Sequence, residues 1–177
     1  MELPRVTWSD LITPYDANAV GVLALVITIT AMARSSDRGL LALIALGVAF
    51  WAVHYGMLGS QSGAIVHGIA AVGIFCAHLT QEFALKSRVI LATVFSTAGV
   101  SGSLYFGSAL ADALAAIGCV LLSFSEHTLR GPARRQGMVA GQGIFFVYAL
   151  LLGSVPGMTV TTLTVVAGVV GLRRMRI

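Results

Sequence analysis

The sequence predicts an all-α membrane protein, with seven transmembrane helices arranged as two parallel three-helix bundles joined by a linker helix, a 3+1+3 layout with the N-terminus out and the C-terminus in. Three observations predict it. Apolar residues make up 57% of the 177-residue chain and charged residues 10%, where a soluble domain carries about 25% charged residues. The apolar residues fall in blocks near the ~20 that cross the hydrocarbon layer as a helix, with the charges collected between them. A short motif, L-G-S-x-x-G, occurs once in each half, as Leu58-Gly59-Ser60-Gln61-Ser62-Gly63 and as Leu152-Gly153-Ser154-Val155-Pro156-Gly157, 94 residues apart. Its Gly and Ser content suits a tight turn between two helices.

The spans read as roughly 18–33, 39–58, 63–81, 87–103, 109–126, 138–153 and 157–172. Arg34 and Arg38 follow the first, Lys86 and Arg88 the third, Arg130, Arg134 and Arg135 the fifth, and Arg173, Arg174 and Arg176 the seventh. The turns after the second, fourth and sixth spans carry no Lys or Arg, and the N-terminal segment carries only Arg5. Basic loops stay in the cytoplasm, so the alternation fixes the orientation and accounts for the positive charge without nucleic acid. Ala31-Met32-Ala33 has the A-x-A form of a signal-peptide cleavage site. Cleavage there would turn every later basic loop outward, so the first span is read as retained.

In chain order, residues 1–17 form a short exterior segment with Pro4, Trp8, Pro14 and Tyr15, its aromatics suited to the membrane interface. Asp16 and Asn18 are candidate caps of span 1, in which Thr28 and Thr30 can bond back to their own helix. Span 2 places Trp51, His54 and Tyr55 on one face with Gly47 and Leu58, at spacings of three, four and seven. Span 3 carries His67 and His78 almost in line but about 16 Å apart, too far for one metal ion. Span 4 ends in Gly99-Val100-Ser101-Gly102-Ser103, small residues that let helices approach closely. Span 5 starts at Ser108 or Asp112 and ends at Glu126-His127, where capping or loop solvation is expected of the carboxylate and an interfacial position of the imidazole. Span 6 opens with Gly137 and Gly141 and continues through Gln142, Phe145 and Tyr148. Span 7 carries Thr159, Thr161, Thr162 and Thr164. Cys76 and Cys119 lie in different spans and read as buried small hydrophobes.

The repeat extends beyond the turn. At a spacing of 94, Gly47 falls on Gly141, Trp51 on Phe145, His54 on Tyr148 and His67 on Thr161; with a shift of three more, Gly21 falls on Gly118. The chain is therefore one integral membrane domain, 1–177, made of a first repeat (18–84), a linker helix (87–106) and a second repeat (109–177). The extra crossing gives both repeats the same orientation, about an axis along the membrane normal.

The stretch Trp51-Ala52-Val53-His54-Tyr55-Gly56-Met57-Leu58-Gly59, the polar position His67, the second Leu152-Gly153 turn and the basic C-terminal end together resemble the YgjV family of bacterial inner-membrane proteins. The resemblance implies a multi-pass protein of the bacterial inner (plasma) membrane. At fold level the 3+1+3 layout resembles the SWEET and SemiSWEET (PQ-loop) sugar transporters, in which a Trp on the second helix and an Asn on the third helix of each repeat line a central pocket. Trp51 and His67 hold similar places in the first repeat, Phe145 and Thr161 in the second. This chain differs in having no Pro-Gln pair, no proline within a span interior, and Asn18 as its sole asparagine.

The resemblance implies a SWEET-like facilitator or exporter of a small polar solute, a sugar or another metabolite, by alternating access between the bundles. The expected path is lined by Trp51, His54, Tyr55, His67, Gln142, Phe145, Tyr148 and Thr161. Ionisable groups inside spans are candidates for such a path, and the same histidines and aromatics also serve as interhelical packing. The alternative is a non-transporting accessory or sensing subunit. No H-E-x-x-H, G-x-S-x-G or P-loop is present, so no enzyme, cofactor or metal is expected. The expected partners are the lipid bilayer and the solute, with self-association left open.

Overall fold

Each apolar block of the sequence folds as a helix. The computed structural model describes residues 14–58, 61–106, 109–151 and 155–175. Among them are seven α-helices and no strand: α1 Pro14–Met32, α2 Asp37–Met57, α3 Gln61–Leu79, α4 Leu85–Phe106, α5 Ala109–Thr128, α6 Gly131–Leu151 and α7 Val155–Arg174. Among these, α2 is long and apolar enough to cross a bilayer on its own described residues. Parts of both L-G-S-x-x-G turns, and the segment with Pro4 and Trp8, lie outside the described residues.

Helix starts explain where the span reading is corrected. Pro14 is the first residue of α1, a position where its missing N–H costs nothing. Asp16 therefore sits inside the first turn, at the positive end of the helix dipole. Ser36 caps α2, its hydroxyl accepting from Gly39 N at 3.2 Å. The larger correction concerns α6, which begins at Gly131, seven residues before the apolar span. What reads as a basic loop is thus largely the first turn of a helix, with Gly131 at φ 56° turning the chain and Pro132 where a helix tolerates proline.

Each helix packs on its successor, α1 also packs on α7, and α3 on α5. The contact between α3 and α5 leaves α4 outside the closed series, packed more extensively on α5 than on α3. The middle helices, α2 and α6, carry most of the packing within the two triplets. Their bounds repeat: α2 and α6 both start and end 94 residues apart, and so do the starts of α3 and α7. The close contacts repeat as well. A Cβ on Gly47 would lie 2.7 Å from Thr28 Oγ1, and one on Gly141 would lie 2.7 Å from Leu122 Cδ2. Thr28 and Leu122 are themselves 94 apart, so each glycine lets its helix approach the same point of the preceding one.

The buried apolar core clusters where the basic connections meet. Ala31, Met32, Leu40, Leu41, Ile44, Ala45, Ile74, Ala77, Met138 and Ala167 are buried there. At that end the arginines take the carbonyl groups that helix C-termini leave without partners. Arg135 Nη1 donates to Met32 O of α1 at 2.9 Å, and Arg130 donates to Gln81 O just past α3. Arg88 Nε donates to His127 O of α5 at 2.5 Å, and Arg134 Nε to Leu129 O just past it at 3.0 Å.

Arg134 and Arg135 are both 0% exposed, at the positions that Leu40 and Leu41, also 0% exposed, hold in the first half. Asp37 is the counterion. Its Oδ2 lies 3.1 Å from Arg134 Nη1 and accepts from Gly131 N at 2.7 Å. Burial lowers both guanidiniums from the ordinary arginine value, and Asp37 opposes that shift. Arg38 and Glu82, 3.8 Å apart and both well exposed, add little beside it.

Removing one partner of a buried pair strands the other charge, at about 3–5 kcal/mol. Asp37→Ala is expected to destabilise the protein by that order. Adding Arg134→Leu, which copies Leu40, is expected to recover most of the loss. Chemical unfolding in detergent micelles checks this; equal loss in the single and double variants would show that the charge on Arg134 is not what Asp37 balances.

Candidate functional site

Near the far end of α2, spacings of three and four put Trp51, His54 and Tyr55 on one face, and the structure joins them ring to ring. Trp51 and His54 have centroids 5.3 Å apart at 85°, and His54 and Tyr55 5.3 Å apart at 66°. Tyr55 then meets His67 of α3 at 4.7 Å. His54 Nδ1 donates to Ala17 O of α1 at 2.7 Å. Gly21, one turn further along α1, is what makes room, because a Cβ there would stand 2.9 Å from the imidazole. His67 Nδ1 donates to Gly63 O at 2.8 Å. Three helices thus fix two imidazoles and two aromatic rings in one cluster.

The second half supplies a smaller counterpart. Phe145 and Tyr148 of α6 meet edge to face at 6.2 Å, and a Cβ on Gly118 of α5 would lie 2.7 Å from Phe145. Each half therefore uses a glycine on its first helix to seat a ring of its second. Tyr55 and Tyr148 lie near the C-terminal ends of α2 and α6, one in each half. Thr161 is buried, and its hydroxyl donates to Gly157 O at 2.9 Å. That bond is the one His67 makes to Gly63, moved by 94 residues at both partners. Gln142 is half-buried, one turn before Phe145 on α6.

The cluster lies about 21 Å along α6 from Arg134, taking 1.5 Å per residue from position 134 to position 148. At the opposite, basic end is a second polar group that span patterning alone does not reveal. Glu126 and His127 are 6% and 1% exposed, so neither is solvated in a loop or held at an interface. The reason is that α6 starts early: Arg134 enters the core and interacts with Glu126, while Arg88 reaches His127 O. The signal that finds this group is the repeat itself, since a shift of 94 lays Arg134 and Arg135 on the buried leucines 40 and 41.

His78 is half-buried beside Phe75, with ring centroids 6.3 Å apart. Cys76 and Cys119 are free thiols, both partly buried. The side chain of Asp112 lies outside the described ones. No three His, Cys, Asp or Glu side chains among the described residues are grouped to hold a metal ion. Chemically, the far-end cluster offers aromatic faces, imidazoles and phenols, with no charged side chain in its ring contacts.

The family model described as Imp-YgjV, bacterial inner membrane protein, matches residues 16–177. No curated protein and no solved structure matches the chain.

The seat of His54 can be tested directly. Gly21→Val is expected to destabilise by about 1–3 kcal/mol through overpacking and to change the emission of Trp51 in a Trp8→Phe background. Gly143→Ala, with nothing within 4 Å of an added Cβ, is expected to do neither. Thermal unfolding and tryptophan fluorescence in micelles check both; an unperturbed Gly21→Val would remove the contact from the account.

Proposed function

The chain belongs to the Imp-YgjV family of bacterial inner membrane proteins, and from that premise we propose that it is a facilitator or exporter of a small polar solute, working by alternating access between its two halves. In this reading all seven helices cross the membrane, with the N-terminus outside and the basic end cytoplasmic. The helices α1–α3 and α5–α7 are the two moving bundles, and α4 is the crossing that gives them the same orientation. Trp51, His54, Tyr55 and His67 face the passage from one bundle, and Phe145 and Tyr148 from the other.

One observation carries the reading: the polar and aromatic residues of the first half form one cluster, and the second half sets Phe145 and Tyr148 ring to ring at the positions that repeat Trp51 and His54. Lipid gives no reason to gather imidazoles and phenols between helices, since ionisable groups inside a membrane protein are costly and gather where something polar is handled. Apolar residues would fill the same space with less penalty.

The buried Asp37–Arg134 pair favours a second reading, in which the closed basic end belongs to a static scaffold and the protein is an accessory or sensing subunit. Recovery of a stoichiometric partner in mild detergent, with no solute movement, would favour that alternative.

Uptake and counterflow in liposomes across a broad solute panel test the transport reading. At least one solute is expected to move, and Trp51→Ala with His67→Ala is expected to slow it tenfold or more, a loss of about 1.4 kcal/mol or more in the transition state. Gly143→Ala serves as the control that leaves the rate unchanged. If no solute moves and the double variant leaves the cellular phenotype intact, transport is excluded.

A further inference from the structure

The chemistry of the ring cluster narrows what it takes. We infer that it binds a small organic cation carrying N–H donors, a protonated amine, and that it discriminates against anions. The inference rests on the passage proposed above and specifies its ligand class.

A backbone carbonyl oxygen only accepts hydrogen bonds, so the contacts of His54 Nδ1 with Ala17 O and of His67 Nδ1 with Gly63 O place the proton on Nδ1 in both rings. In the neutral imidazole Nε2 is then a bare acceptor. The cluster thus holds two imidazoles whose Nε2 atoms are acceptors, one on α2 and one on α3, their proton positions set by the backbone of α1 and α3.

Trp51 lies 5.3 Å from His54, and Tyr55 lies 4.7 Å from His67. The second half adds Phe145 and Tyr148, which meet edge to face. Trp and Tyr faces attract ammonium groups, by about 0.5–1 kcal/mol at exposed sites and about 2 or more when desolvated. They give an anion no such gain.

No Lys or Arg occurs between Arg38 and Lys86 or between Arg135 and Arg173, the two stretches that supply every member of the cluster. An anion entering there would be desolvated without a counterion, a severe penalty. Asp16 immediately precedes Ala17, the residue whose carbonyl holds His54. In the proposed topology the outer segments carry Glu2, Asp10, Asp16 and Asp112 against Arg5 alone. That imbalance draws cations towards the outer mouth. A polyol would satisfy the acceptors but brings no positive charge to the ring faces or the acidic surround, which is why the assignment goes to the amine.

The test uses the full chain in micelles with Trp8→Phe, so that Trp51 is the sole tryptophan. Butylammonium, tetramethylammonium, erythritol and butyrate are titrated at pH 8 against its fluorescence. Butylammonium is expected to give a saturable change. Tetramethylammonium, with the charge but no N–H, is expected to bind about tenfold weaker or worse, the order of one hydrogen bond to a charged group. Erythritol and butyrate are expected to give no saturable change. His67→Phe is expected to abolish the preference for butylammonium over tetramethylammonium, and the comparison on native His67 stands even where that variant does not fold. Equal binding of the two cations would overturn the role of the imidazole nitrogens, and binding of butyrate would overturn the charge argument. Should erythritol alone bind, and move in liposomes, the amine assignment falls and the passage stands. Should no probe bind and no solute of the wider panel move, both fall.

Discussion

One carboxylate, Asp37, holds the two halves of this molecule together at the basic end. It lies in the first turn of α2, accepts the first N–H of α6, and neutralises a guanidinium that has no access to solvent. Two helix N-termini, each the positive end of a dipole, meet on a single negative group. Around it, Arg88, Arg130, Arg134 and Arg135 occupy carbonyl groups at or just past the ends of α1, α3 and α5. A helical membrane protein must find partners for its helix ends, and here a few long side chains do so for several helices at once. The other end of the bundle has no comparable network of ions among the described residues, and its elements are tied through rings and main-chain carbonyl groups.

Much of this order was legible in the sequence and some was not. Seven apolar blocks gave seven helices, because the alternation of apolar runs and charged clusters is a strong signal that needs no tertiary information. The spacing of Trp51, His54 and Tyr55 was enough to put them on one face. Patterning cannot show whether a charge at the edge of an apolar run is solvated or turned inward. Arg134 and Arg135 sit in a segment with Gly131 and Pro132, both loop formers by composition, and yet both are compatible with a helix start. Once α6 begins there, the two arginines point into the core, and Glu126 and His127 are buried with them. The 94-residue spacing held the missing information, since two fully buried leucines occupy the matching places in the first half.

The two halves therefore share a scaffold and divide their chemistry. Glycines 47 and 141 admit the preceding helix at equivalent points, and glycines 21 and 118 each seat a ring. The first half puts imidazoles and an indole at the far end and leucines at the near end. The second half puts phenyl and phenol rings at the far end and guanidiniums at the near end. Polar groups at the two ends thus come chiefly from different halves, and a movement of one half against the other would shift both sets together.

The bonds His67 to Gly63 and Thr161 to Gly157 connect the same two positions in each half through different side chains. Both glycines close an L-G-S-x-x-G motif, so in each half the final residue of the motif presents the carbonyl and the residue four places on supplies the proton. What descends through the repeat at this site is an occupation and not an occupant. A ring nitrogen in one copy and a hydroxyl in the other fill the same vacancy, which makes a proton donor the unit of inheritance here. An aligned pair of such columns would look unrelated letter by letter while keeping one bond intact.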